Sequence, residues 1–308
     1  MLSRIAESLF WIGRYVERAD GTARILDVHL ERLNGLGEDE QNRVSRNLLA
    51  LMGSDPGTEA VTLDRLLKCL AHDKASPTSI AGSLSAAREN ARRARETVSS
   101  SLWEGLNTTH NGLKKQRKDL VGTYRFCHWV LERTAMVSGS ADSTVSHDDS
   151  WLFMVLGRSL ERADMTARML STRDLLSGSL SWVNMLHCAG AYESFLRNRG
   201  GSSGDQDAAE FLLLDRLFPR SIVYALRDAE ECLSKLDPSA QRVGFIDDAR
   251  RVVGQARTFL EFHRTDNLIE ELPEHMERVQ RAVSQASEAV SRKYFNQASE
   301  LEWIGEVS

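Results

Sequence analysis

Arginine and acid recur in one fixed order at two places in this 308-residue chain. Gly13-Arg14-Tyr15-Val16-Glu17-Arg18-Ala19-Asp20-Gly21-Thr22-Ala23-Arg24-Ile25-Leu26 returns as Gly157-Arg158-Ser159-Leu160-Glu161-Arg162-Ala163-Asp164-Met165-Thr166-Ala167-Arg168-Met169-Leu170, with ten of 14 positions identical at an offset of 144. Guanidinium groups fork onto carboxylates and phosphates, and a glutamate between them can hold an amine or a metal or take a proton. Two roles suit these residue types. Arg14 or Arg18 could fork onto a carboxylate of the other half, such as Glu161, with the reciprocal pair doing the same, which fixes pairing register. Alternatively, the arginines grip an anionic ligand. A solvated charged face is the ordinary reading of such stripes, because each exposed pair contributes only about 0.3–0.5 kcal/mol. Such a face needs charge but not the same charge at the same place.

Further candidates lie elsewhere. Arg88, Arg92 and Arg95 are spaced to share one helical face, with Glu89 and Glu96 as partial counterions. Trp103, Glu104 and Asn107 fall within one turn and could frame a pocket, although core packing also explains Trp103. Lys114, Lys115, Arg117 and Lys118 form a basic cluster expected at a helix start, where cations are disfavoured; it reads as a solvated turn or a surface for an acidic partner. His147, Asp148 and Asp149 read as a helix cap, with cation binding as the minor alternative. His128 and Glu132, at i,i+4, read as a buried histidine with its partner. Gly200-Gly201-Ser202-Ser203-Gly204 satisfies GxSxG, but that motif works as a strand-to-helix elbow, and here it is a coincidence. No HExxH, phosphate-binding P-loop or dinucleotide fingerprint is present, and no metal or cofactor is named.

The elements that must carry these groups read as helices. Ile5, Leu9, Ile12, Val16, Ala19, Ala23, Leu26 and Leu30 recur every three or four residues over Ser3–Leu33, a long amphipathic helix that puts Arg14, Glu17, Arg18 and Arg24 opposite its apolar side. Further helices are expected near 40–52, 59–71, 78–110, 114–137, 149–176, 180–197, 208–217, 220–236, 239–264 and 267–294. The polar stretch 138–149 is the best boundary, with Ser146 or Asp148 as cap. Pro77-x-Ser79-Ile80-x-x-x-Leu84 returns as Pro219-x-Ser221-Ile222-x-x-x-Leu226, at an offset of 142. Two landmarks in one order suggest tandem duplication. The expectation is an all-α protein of two related helical halves, 1–145 and 146–308, packed as one elongated pseudo-twofold bundle.

Composition narrows the classes. With 42% hydrophobic and 27% charged residues the chain is expected to be a folded, soluble protein. A net charge of −5 makes nucleic acid a poor default partner. The longest apolar run is six residues, Trp151–Leu156, far below the roughly 20 needed to cross a bilayer. No signal-peptide pattern opens the chain, so a cytoplasmic location is expected. Cys69, Cys127, Cys188 and Cys232 are widely spaced and read as buried free thiols.

At the Glu-Arg motifs, and through Ser8–Ala19, Ala87–Arg95, Leu102–Asn107, Leu156–Arg168 and Glu210–Asp215, the chain resembles the alpha-E family of bacterial helical domains. The resemblance covers most of the chain. It implies an all-helical protein whose genes often accompany a circularly permuted ATP-grasp ligase and a transglutaminase-like protease, a setting for making or trimming amide-linked peptides. Gly105 departs from the bulkier helix former expected there, which would loosen its helix. The expected function is a non-catalytic accessory component that binds a substrate or partner of a peptide or amide ligase, such as a peptide or carboxylate. Its binding set is Arg14, Glu17, Arg18, Asp20, Arg24, Arg88, Arg92, Trp103, Glu104, Asn107, Arg158, Glu161, Arg162, Asp164 and Arg168. The alternatives are an enzyme using Glu17 or Glu161 as general base, and a homo-oligomeric scaffold.

Overall fold

The computed structural model describes residues 2–171, 182–199, 204–238 and 247–295. Among these the chain is helical without a strand. Helix α1 runs from Ser3 to Asn34, as its apolar period requires, and packs lengthwise on α7, Asp149–Ser171. These two helices carry the twin motifs and lie at the centre. Helices α4 (Ile80–Arg93) and α6 (Leu120–Thr144) cover α1, and α11 (Ile222–Leu236) and α14 (Leu272–Val290) cover α7.

Glycine sets how closely the central helices approach. A Cβ at Gly13 would stand 2.0 Å from the Met154 carbonyl oxygen, and one at Gly157 would stand 2.1 Å from that of Phe10. Both distances are far inside contact, so backbone touches backbone there, and only glycine fits. Each contact is the other shifted by 144 residues. This close crossing brings the polar residues one to two turns further along, at 17–18 and 161–162, within side-chain reach.

Caps define most of the outer helices. Ser79 accepts from the Gly82 amide (2.9 Å) and Ser221 from the Tyr224 amide (3.1 Å), each starting the helix that follows a Pro-x-Ser landmark. The single helix expected over 78–110 is two, because Ser99 caps a new helix, α5 (Ser100–Gly112), by accepting from the Leu102 amide. Periodicity carried no sign of that break, since no proline or glycine marks it. Helix α6 begins later and ends later than expected, so the boundary shrinks to Val145–Asp148, where the Asp148 carboxylate accepts from the Ser150 amide at 2.8 Å. The helix expected over 180–197 is also split, into α8 (Trp182–Cys188) and α9 (Tyr192–Arg199), by Gly190 with φ of 61°.

Helices α2 (Glu38–Leu51) and α3 (Leu63–Leu67) follow α1, and a one-turn π-helix, Lys68–His72, extends α3. In the C-terminal part α10 (Asp205–Leu214), α12 (Asp248–Phe262) and α13 (Thr265–Glu270) complete the order, and a second π-turn, Ser291–Phe295, extends α14. Buried apolar side chains form two clusters. The smaller gathers the second half of α1 with α2, α3 and the starts of α4 and α6, around Leu26, Leu30, Leu48, Leu66 and Phe126. The larger joins the first half of α1 to α5, α7 and the helices after it. Helix α1 therefore belongs to both. The four cysteines are free thiols, three of them buried, and no described helix is long and apolar enough to cross a membrane.

Candidate functional site

Across the α1–α7 crossing the twin motifs grip one another. The Glu161 carboxylate accepts Arg18 Nε at 2.5 Å on one oxygen, and Arg18 Nη2 at 2.9 Å and Arg14 Nε at 2.6 Å on the other. Glu17 accepts Arg162 Nε at 2.9 Å and Nη2 at 2.8 Å, and it also accepts from Arg220. Arg18 reaches the Pro77 carbonyl and Arg162 that of Pro219, both at 3.5 Å. The two glutamates are 3% and 1% exposed, so neither faces open solvent.

The two ends are filled differently. Arg14 supplies the second guanidinium on Glu161 and also donates to Ser287 on α14 at 2.6 Å. Its counterpart Arg158 does not reach Glu17; it donates to Asp142 on α6 at 3.1 and 3.2 Å. Arg220, just before α11, takes that place and also holds Asp20 at 2.7 Å. The position equivalent to Arg220 in the first landmark is Thr78. Arg220, Asp142 and Ser287 were not foreseen. The one available signal was that Arg220 stands inside the second Pro-x-Ser landmark.

Asp20 is held further by Arg24 Nε (2.8 Å) and by the Thr134 hydroxyl (2.8 Å). Asp164 accepts Arg168 Nε at 2.7 Å, while Arg168 Nη1 donates to the Leu51 carbonyl at 3.0 Å. The cluster thus sets six arginines, 14, 18, 24, 162, 168 and 220, against the carboxylates of Glu17, Asp20, Glu161 and Asp164.

Burial alone would push the Glu17 carboxyl up, but Arg162 and Arg220 outweigh it and hold the group well below the usual carboxylate range. For Glu161 burial is again opposed, by Arg14 and Arg18, and the net shift is downward. Asp164 goes the other way: burial dominates over Arg168, and Glu161 adds to the upward shift. Both motif glutamates are therefore anions whose oxygens are taken up by arginine donors. As proton acceptors they are weak and occupied. What the arrangement can do is fix two helices in register.

The other candidates do not converge on this cluster. Arg88 Nε donates to Asn107 at 3.2 Å, and Arg88 and Arg95 lie 5.4 and 5.6 Å from the Trp103 ring, so two residues from each of two separately read groups meet. Glu104 is exposed on the same helix. Arg92 is not part of that group; it forks onto Glu89 at the surface. The three arginines therefore do not form one gripping face, because the helix ends at Arg93 and Arg95 lies past it. Gly105 does not break α5: a Cβ there would meet Met136 at 3.1 Å, so the small residue admits α6.

His128 is exposed, against the buried reading, and approaches Asp27 at 3.3 Å rather than Glu132. His147 stacks on Trp151 with ring centroids 4.0 Å apart, and Asp148 caps α7. No group of three metal-ligating side chains occurs among the described residues. The basic cluster at 114–118 lies before α6, which starts at Leu120, and partly within a 3-10 turn that ends α5, Leu113–Lys115, where cations complement the helix dipole. Of the GxSxG stretch, residues 200–203 lie outside the described residues.

Beside the crossing an open cleft of about 740 Å³ lies between α1 and α4, lined by Arg4, Glu7, Trp11, Tyr15, Arg92 and Arg93 among others. Trp11 and Tyr15 stack at 5.2 Å. Their rings rest on the seam: Arg14 lies 5.7 Å from Trp11 and Arg18 lies 5.6 Å from Tyr15. Burial pushes the Tyr15 hydroxyl up, with Arg18 opposing.

Curated relatives include uncharacterized proteins of Mycobacterium bovis and of two strains of Mycobacterium tuberculosis. Each is 25% identical over 268 residues, a match that covers 77% of this chain and 30% of the relative. The chain thus spans about a third of the length of these relatives. No solved structure matches it. A family described as a predicted alpha-helical domain with a conserved ER motif matches residues 1–295. With the Glu-Arg pairs of that description seated at the crossing of α1 and α7, the chain belongs to the Alpha-E family.

Proposed function

We propose that this protein is a non-catalytic component that binds a substrate or partner of an ATP-grasp-linked peptide or amide ligase system. The Glu-Arg cluster is its internal brace, and the neighbouring cleft between α1 and α4 makes the contact. The observation that carries this reading is the closure of Glu17 and Glu161 by two arginines each, while Trp11 and Tyr15 stand on those arginines and face the cleft. A general base needs a free lone pair and a pKa near the working pH, and neither glutamate offers them.

The cleft is suited to an acidic or carboxylate-bearing peptide. Arg4, Arg92 and Arg93 outnumber Glu7 on its rim, and a stacked aromatic pair forms an apolar wall. That the family unit is about a third of a longer chain in its relatives fits a module working beside another one. The same reading takes residues 1–145 and 146–308 as duplicated halves around a pseudo-twofold axis through the Gly13–Gly157 crossing. The exchanged Arg18–Glu161 and Arg162–Glu17 forks support it. Co-purification with a circularly permuted ATP-grasp ligase, with nucleotide and peptide present, tests the proposal. Wild-type protein forms the complex, and Arg4→Gln with Arg92→Gln, both exposed on the cleft rim, weakens it with little change in melting temperature. Absence of any complex would overturn the reading.

A further inference from the structure

A second cleft, of about 720 Å³, opens on the far side of α4 and gathers lysines from separate parts of the chain. Lys68 comes from the π-turn after α3, Lys74 from the loop before α4, and Lys114 and Lys118 from the connection between α5 and α6. Each is exposed, and none joins an ion pair with a carboxylate among the described residues. We propose that this cleft is a binding site for a small anion carrying two or more negative charges, of the phosphate or polycarboxylate class.

Four ammonium groups line one concavity with two carboxylates, Asp64 and Asp73, so the lining carries a formal surplus of positive charge. One Asp73 oxygen also accepts from the Ala75 amide at 2.9 Å. The loops that carry the lysines are fixed. Ser79 donates to the Asp73 carbonyl and caps α4, and Gly82 lies so close that a Cβ would stand 1.8 Å from the Ser76 carbonyl oxygen. Asp119 accepts from the Gly122 amide at 2.6 Å, which closes the other wall. The site is therefore preorganised, and its volume is that of a small-molecule pocket, roughly 300–1,000 Å³. Lysines act as mobile point charges and suit phosphate groups of varied geometry.

Behind the lysines the floor is His72, stacked on Phe126 at 5.3 Å and bonded to Thr123 at 2.9 Å. Burial, and then the charge of Lys118, push the His72 imidazole down to about 4. One turn before Lys114, His110 is lowered by burial and then by Arg88, Lys74 and Lys114. Burial leads both shifts, and cleft lysines add to each, Lys118 at His72 and Lys74 with Lys114 at His110. The lysines gather in one concavity of a chain whose net charge is −5, which favours a small anion over an extended polyanion such as nucleic acid.

Calorimetric titration of the purified full chain with inorganic pyrophosphate at low ionic strength, with citrate and sodium chloride as separate arms, tests the proposal. Saturable binding of pyrophosphate or citrate beyond the chloride control is expected, and the stronger of the two names the anion class. Replacing Lys68, Lys74, Lys114 and Lys118 together with glutamine should weaken it at least tenfold at an unchanged circular dichroism spectrum, whereas Lys235→Gln, on an exposed pair with Glu231, should not. Bound anion should also raise the His72 pKa, read from imidazole proton shifts, since it would offset the charge of Lys118. No saturable binding, binding unchanged in the quadruple variant, or tighter lysine-dependent binding of duplex DNA would each overturn it.

Discussion

Glu17 on α1 and Arg162 on α7 meet in a two-point fork, 2.9 and 2.8 Å, and the pair displaced by 144 residues, Arg18 and Glu161, meets in the opposite sense. Each motif therefore completes the other. A salt bridge this buried gains little against a well-packed apolar pair, but it penalises every other register, because a shift by one residue leaves buried charges alone.

Removing one charge should be costly. Glu161→Gln leaves Arg14 and Arg18 without their anion in a buried place, and a loss of about 3–5 kcal/mol of stability is expected. Denaturant unfolding followed by circular dichroism measures it. Arg92→Gln, on an exposed pair with Glu89, should cost less than about 1 kcal/mol.

The helix crossing should reject a methyl group. Gly157→Ala places a Cβ against the Phe10 carbonyl at 2.1 Å, backbone that cannot turn aside, and thermal melting should fall by an amount corresponding to more than about 2 kcal/mol. Gly139→Ala is the control. It has open space at that position in the exposed part of α6 and should gain roughly 0.5–1 kcal/mol from helix propensity.

Much of this was legible beforehand, and what was missed has physical causes. The fixed order of Arg, Glu, Arg, Asp and Arg marked the central helices, since no solvated face requires it. Apolar spacing placed α1 and the start of α7 within a residue or two, while the end expected for α7 at 176 lies outside the described residues. Periodicity could not see that α5 starts anew at Ser99, because a serine cap interrupts the backbone without interrupting the apolar pattern. Nor could it foresee that Arg220 replaces Arg158 beside Glu17, which depends on how the loop before α11 meets α1. The cleft lysines come from distant segments, and only the fold joins them.

Acid should unfold the protein through the two motif glutamates. Their pKa values are lower folded than unfolded, so their contribution is complete above the ordinary glutamate value, about 4.3, and is lost as pH falls through the lower folded values. Melting temperature should decline below about pH 4.3, and a Glu17→Gln, Glu161→Gln double variant should show a weaker decline from a lower start.

His72 should act over a higher window. Its folded pKa is also depressed, to about 4, so the unfolded chain takes up its proton first and stability falls as pH drops from about 6.5 toward the folded value. His72→Phe should flatten the melting profile over that interval. Thermal scans from pH 7 to pH 4 measure it.

A double-mutant cycle on Glu17→Gln and Arg162→Gln, read as unfolding free energy, addresses the brace itself. A coupling of about 2 kcal/mol or more between the two positions is predicted for buried, mutually dependent charges. A coupling near zero, with each single change costing under about 0.5 kcal/mol, would mean that the paired motifs do not hold α1 against α7.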